Sequence, residues 1–195
     1  MASPLSQARV FVAGVLFAFG CSFVTPLSAA DKRDLDVSVE IVDGEIRADV
    51  SLFVRATRQR VWEVINDYER APEFMRGLQE SKVISRSGDR LRVFQRDQFR
   101  FGPFTFPVET IKDVQLIEPF RTVSRLVSGS IKKYEAMTEL VSEAGGTRIL
   151  YRSVAVPGSM LAGFVGESSV KRETEERFRQ LRGEILRREQ VALKQ

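Results

Sequence analysis

RLRVFQRDQFRF, residues 90–101, alternates with a period of two. Leu91, Val93, Gln95, Asp97, Phe99 and Phe101 fall on one side, and Arg90, Arg92, Phe94, Arg96, Gln98 and Arg100 on the other. Successive side chains of a strand point to opposite faces, so the row with fewer charges is the one to bury. The same period runs from Gln79 to Val156, with turn signals at Ser87-Gly88-Asp89, Gly102-Pro103, Glu118-Pro119, Gly129 and Gly145-Gly146. That pattern predicts a meander of about six strands.

Working outward, Leu35 to Ile41 and Glu45 to Arg55 read as two further strands joined by Asp43-Gly44, a strong hairpin dipeptide. Thr57 stands where a helix N-cap belongs, and Arg58 to Tyr68 carries Val61, Trp62, Val64 and Ile65 at helical spacing. Pro72 opens a second short helix through Met75, which Gly77 closes. After Pro157-Gly158 the chain turns helical, with Val170, Thr174, Phe178, Leu181 and Ile185 on one face. Strands, two short helices, a run of strands and one long helix predict an α+β fold with an antiparallel sheet.

The remaining inward rows have an unusual composition. Phe104, Phe106, Val108 and Thr110 form one; Phe120, Thr122, Ser124, Leu126 and Ser128 the next. Tyr134, Ala136, Thr138 and Leu140 follow, then Thr147, Ile149, Tyr151, Ser153 and Ala155. A filled core favours large aliphatics, because a buried polar group without a partner costs about 1–3 kcal/mol. Aromatic walls with a few placed polar groups are instead the make-up of a ligand pocket. An ordinary core, with the polar residues at strand ends or bonded to one another, is the competing reading.

Residues 1–30 hold one charged group, Arg9, an apolar run from Val10 to Val24, and then Thr25-Pro26-Leu27-Ser28-Ala29-Ala30. The small residues Ser28 and Ala30 predict a signal peptide cleaved before Asp31, and hence export to the periplasm or cell envelope. An uncleaved membrane anchor is the alternative, and acylation at Cys21 a lesser one, since Phe19 is bulky for such a site. Residues 31–195 then form one domain with 29 basic and 26 acidic residues, a net charge of +3. Basic and acidic residues alternate without a stripe, so nucleic acid is not an expected partner. The only cysteine lies in the signal, and histidine is absent throughout. This removes disulfides, thiol nucleophiles, the usual zinc ligand and every Ser-His or Cys-His device, and no metal or cofactor is expected.

Val50 to Gly77, with Arg55-Ala56-Thr57, Val61-Trp62, Asp67-Tyr68, Pro72, Phe74-Met75 and Gly77-Leu78, resembles the START-like (SRPBCC) superfamily. The likeness is to its polyketide cyclase/dehydrase and coenzyme Q-binding START branch. Gly129, Lys132, Tyr134, Gly145-Gly146-Thr147 and Tyr151 extend it over residues 36–190. Thr138 stands where the family often has a tryptophan. The resemblance implies a helix-grip fold, in which a curved sheet wraps a long C-terminal helix around a hydrophobic ligand such as a lipid, isoprenoid, quinone or polyketide.

Rows and resemblance together give a candidate cavity lining of Gln95, Asp97, Phe99, Phe101, Phe106, Thr110, Thr122, Ser124, Tyr134, Ala136, Thr138, Tyr151, Ser153 and Phe178. Asp97 is the one carboxylate placed inward. As a general base for aldol-type cyclisation, with Tyr134 or Tyr151 holding an enolate oxygen, it would make the protein a cyclase or aromatase. Solvated at the cavity mouth, or paired with an arginine, it would be structural, and the protein a non-catalytic binder, the reading preferred here. Trp62 and Phe74 read as packing anchors, and Asp67 as a turn former. The charges from Lys171 to Arg188 read as a solvated helix face with pairs such as Glu175–Arg179 and Glu184–Arg188. Peripheral membrane contact through those arginines is the lesser reading.

Overall fold

The computed structural model describes residues 34–101, 103–117, 120–159, 163 and 165–194, with the side chain of Phe101 outside the described set. The predicted signal segment also lies outside it. Eight strands form one antiparallel sheet: β1 (Leu35–Val42), β2 (Glu45–Val54), β3 (Leu78–Ser87), β4 (Arg90–Phe101), β5 (Phe104–Ile117), β6 (Arg121–Gly129), β7 (Lys133–Glu143) and β8 (Gly146–Val156). Their spatial order is β1-β2-β8-β7-β6-β5-β4-β3. Helices α1 (Arg58–Ile65) and α2 (Ala71–Phe74) connect β2 to β3, and α3 (Glu167–Ala192) ends the fold. The curved sheet with α3 packed on β1, β2 and α1 is the helix-grip arrangement.

Local chemistry explains these boundaries. Asp43 and Gly44 both take positive φ, 50° and 78°, the backbone of a tight hairpin whose twist matches its strands. The Thr57 side chain accepts from the Arg60 amide at 3.2 Å, satisfying an orphan donor at the start of α1. The helix stops at Ile65, short of Tyr68, because Asn66 caps it: its backbone amide and its Nδ2 both donate to the Trp62 carbonyl. On β6 the register skips Val127, which is exposed, so the inward row stops at Leu126 and Ser128 pairs with Ile111 on the opposite parity.

The main core joins Leu52, Val54, Val61, Val64, Leu140 and Ile149 to Leu181 and Ile185 of α3. Each such buried aliphatic contributes roughly 1.5–3 kcal/mol. Leu91, Val93 and Val114 form a second cluster beneath Tyr68. The space between sheet and α3 is where these clusters leave off. Among the described residues no helix is long and apolar enough to cross a membrane.

Candidate functional site

Between the sheet and α3 lies a cavity of about 420 Å³. Val64, Phe74, Leu78, Val108, Ile149 and Leu181 are among its apolar walls. Of the residues expected there, Gln95, Asp97, Phe99 and Thr110 line it from β4 and β5. Tyr134, Thr138, Tyr151 and Ser153 line it from β7 and β8, and Phe178 from α3. Phe74, read as a packing anchor, lines it as well, whereas Trp62 packs edge-on against Phe120 with ring centroids 5.8 Å apart.

Four expected lining residues stand elsewhere. Phe106 packs against Val108, on which Phe99, Ile131, Val165 and Val170 also converge, and its row neighbour Phe104 is exposed. Thr122 is buried between Leu116 and Thr138 in register. Ser124 and Ala136 face each other across β6 and β7, and Ala136 faces Ser153 across β7 and β8. This is a layer of short side chains, of which Ser153 lines the cavity while Ser124 and Ala136 do not. Tyr134 and Tyr151 flank the Ala136–Ser153 pair and lean together, hydroxyl to hydroxyl at 3.1 Å. Burial first, and then Tyr151, push the Tyr134 hydroxyl well above the usual tyrosine pKa, so it stays protonated.

Asp97 is paired with an arginine. Arg177 of α3 donates through Nη2 to its carboxylate at 2.8 Å and through Nε to Glu173 at 3.1 Å, while the guanidinium lies over the Phe99 ring at 4.7 Å. Burial opposes the Arg177 charge, but the bonds to Asp97 and Glu173 outweigh it and hold its pKa above the ordinary value. The helix face read as solvated is thus only partly so. Glu175–Arg179 pairs on the surface, while Glu184 is buried and bonded to Arg188, which also reaches Asp67 at 2.6 Å. Asp67 therefore clamps the end of α1 to α3, beyond any role in its turn.

Tyr68, Lys112, Glu173, Thr174 and Arg177 line the cavity outside the expected set, and two of them carry its cationic charge. Arg177 stands seven residues after Val170 and four before Leu181, on the apolar stripe itself, where its charge disguised it. Lys112 continues the β5 row two residues beyond Thr110 and lines the cavity between buried Thr110 and Val114. Its ammonium donates to the Gln95 carbonyl oxygen, and Gln95 Nε2 in turn donates to the buried Ser81 hydroxyl at 3.1 Å. The Lys112 nitrogen also lies 5.2 Å from the centroid of the Tyr134 ring. Burial lowers its pKa to about 8, with Asp97 acting against that shift and Arg177 with it.

The profile of the family described as polyketide cyclase / dehydrase and lipid transport matches residues 54–182. Among solved structures, the protein TTHA0849 from Thermus thermophilus is similar at 20% identity and a TM-score of 0.61, over 73% of this chain and 97% of that one. A STAR-related lipid transfer protein from Xanthomonas axonopodis is similar at 12% identity and a TM-score of 0.61, over 78% and 98%. The Zhui aromatase/cyclase of Streptomyces sp. R1128 is similar at 12% identity and a TM-score of 0.55, over 74% and 95%. At these identities the likeness is one of fold. Comparison with curated proteins finds no significant sequence match.

Proposed function

Since this chain belongs to the polyketide cyclase/dehydrase and lipid transport family of the START-like (SRPBCC) superfamily, we propose that it is an exported, non-catalytic binder of one hydrophobic ligand. The family contains both ligand carriers and cyclases. The observation that supports the binder is the state of Asp97: its carboxylate is engaged by Arg177, while the tyrosine hydroxyls bond each other. A general base needs a carboxylate free to take a proton from the substrate. The Tyr134–Tyr151 pair, two hydroxyls held inside an apolar cavity, is what favours the second reading, a cyclase or aromatase.

The ligand class is a lipid, isoprenoid, quinone or polyketide-like molecule, held by burial of apolar surface in a cavity of ordinary ligand size. Export rests on the Arg9 to Ala30 segment. Native mass spectrometry of full-length protein expressed in its own host and recovered from the envelope reads both points. The expected result is a polypeptide starting at Asp31 with an apolar ligand retained and released on denaturation. An intact Met1 or Ala2 terminus would leave the anchored form, and a ligand recovered in cyclised form from a linear precursor would make the enzyme reading correct.

A further inference from the structure

Several charged and phenolic groups of the cavity wall have matched partners. Arg177 is held by two carboxylates, Asp97 and Glu173, and the two tyrosine hydroxyls bond each other. Lys112 is different. Its ammonium carries three donors, yet the partners it has are a neutral amide and a ring face. Among the described residues no carboxylate pairs directly with it, although it stands on the inward face between two buried neighbours. A buried cation without a directly bonded carboxylate is costly: burial lowers its pKa, and the charge of nearby Asp97 offsets only part of that shift.

We propose that Lys112 is the headgroup anchor of the cavity, receiving the carboxylate of an aliphatic acid whose tail lies along the apolar walls. This rests on the cavity being a ligand site and specifies which ligands it prefers. The carboxylate would supply the missing counter-charge and take up donors that Gln95 leaves unused. Arg177 is the poorer anchor, because its charge is already balanced by two directly bonded carboxylates, Asp97 and Glu173.

The pH dependence follows from the groups that face Lys112. Gln95 on β4 and Tyr134 on β7 contact it, Asp97 on β4 and Arg177 on α3 act on its charge, and Glu173 on α3, Tyr151 on β8 and Tyr68 between α1 and α2 line the same cavity. Burial keeps Tyr134 and Tyr68 protonated through the alkaline range. Lys112, near 8, is ammonium at neutral pH and loses its proton above it. A bound carboxylate raises that pKa, so binding takes up a proton in alkaline solution and acid affinity falls as pH rises.

The test titrates decanoic acid and decan-1-ol, which share a tail, against the neutral fluorescent probe N-phenyl-1-naphthylamine bound to the protein. In wild type at pH 7 the acid should displace the probe at least tenfold more tightly than the alcohol. Between pH 7 and pH 10 the acid should weaken roughly tenfold or more while the alcohol stays constant. Lys112→Met should abolish the preference and keep or improve alcohol binding, and Lys112→Gln serves if the methionine variant does not fold. Equal affinities for acid and alcohol in wild type, or a preference that survives in the folded variants, overturn the anchor and leave the cavity reading intact. Failure of the probe itself to bind overturns the cavity reading, and the anchor falls with it.

Discussion

Ala136 shows how much one short side chain decides. It is 8% exposed and stands between two cavity-lining residues of its own strand, Tyr134 and Thr138, yet forms no part of the cavity surface. With Ser153 opposite, it stands between Tyr134 and Tyr151 in the strand register, and the two tyrosine hydroxyls meet at 3.1 Å. Ala136→Trp would drive an indole into a buried position between those rings. We expect it to separate the hydroxyl pair and destabilise the protein by about 1–3 kcal/mol in urea unfolding. A variant as stable as its parent would mean that the layer beneath the tyrosines has room to spare.

At the scale of elements, the approach of β3 to β4 depends on Gly77. Its φ is 88°, and a Cβ there would sit 2.8 Å from the Gln98 carbonyl oxygen and 3.2 Å from Asp97 Oδ1. Gly77→Ala should therefore cost about 1–3 kcal/mol and also disturb the Asp97–Arg177 pair that ties the sheet to α3. Thermal melts of Gly77→Ala and of the double variant with Asp97→Asn check this: penalties that simply add would uncouple the glycine from the ion pair. The strands and helices were legible from alternation and turn residues, because period and punctuation are local properties. The site was legible only in part. The inward parity of β4, β7 and β8 brings the eye to Gln95, Asp97, Tyr134, Tyr151 and Ser153, but a lysine or arginine on an inward stripe is discounted on charge alone. Lys112 and Arg177 hold their places through partners distant in sequence, Gln95 and Asp97, and no local pattern announces such pairings.

Across the whole molecule, α3 is held by charges as well as by its apolar stripe. Glu184 is 8% exposed and accepts from Arg187 at 2.7 Å and from Arg188 at 2.6 Å, and Arg188 continues to Asp67. Hydrogen bonding by Arg187 first, opposed by burial and reinforced by Arg188, lowers the Glu184 pKa from 4.5 to about 2. A carboxyl depressed on folding stabilises the native state above its unfolded pKa, and that contribution is lost as pH falls from 4.5 towards 2. Glu184→Gln should therefore cost about 2 kcal/mol at pH 7, allowing for solvent screening at the exposed Arg187, with the deficit shrinking below pH 4.5 and largely gone only once the pH has fallen to about 2 or below. Urea titrations at a series of pH values check it, and a deficit independent of pH would assign the effect to packing instead. The position of α3 in the chain has a further consequence, for the order of events in synthesis. Every described strand precedes the helix that covers them, so the inner face of the sheet stays wet until Glu167–Ala192 has been made. If the protein is exported N-terminus first, as proposed, its strands would reach the far side with the closing helix still behind them, and it would become a container only when that helix has followed.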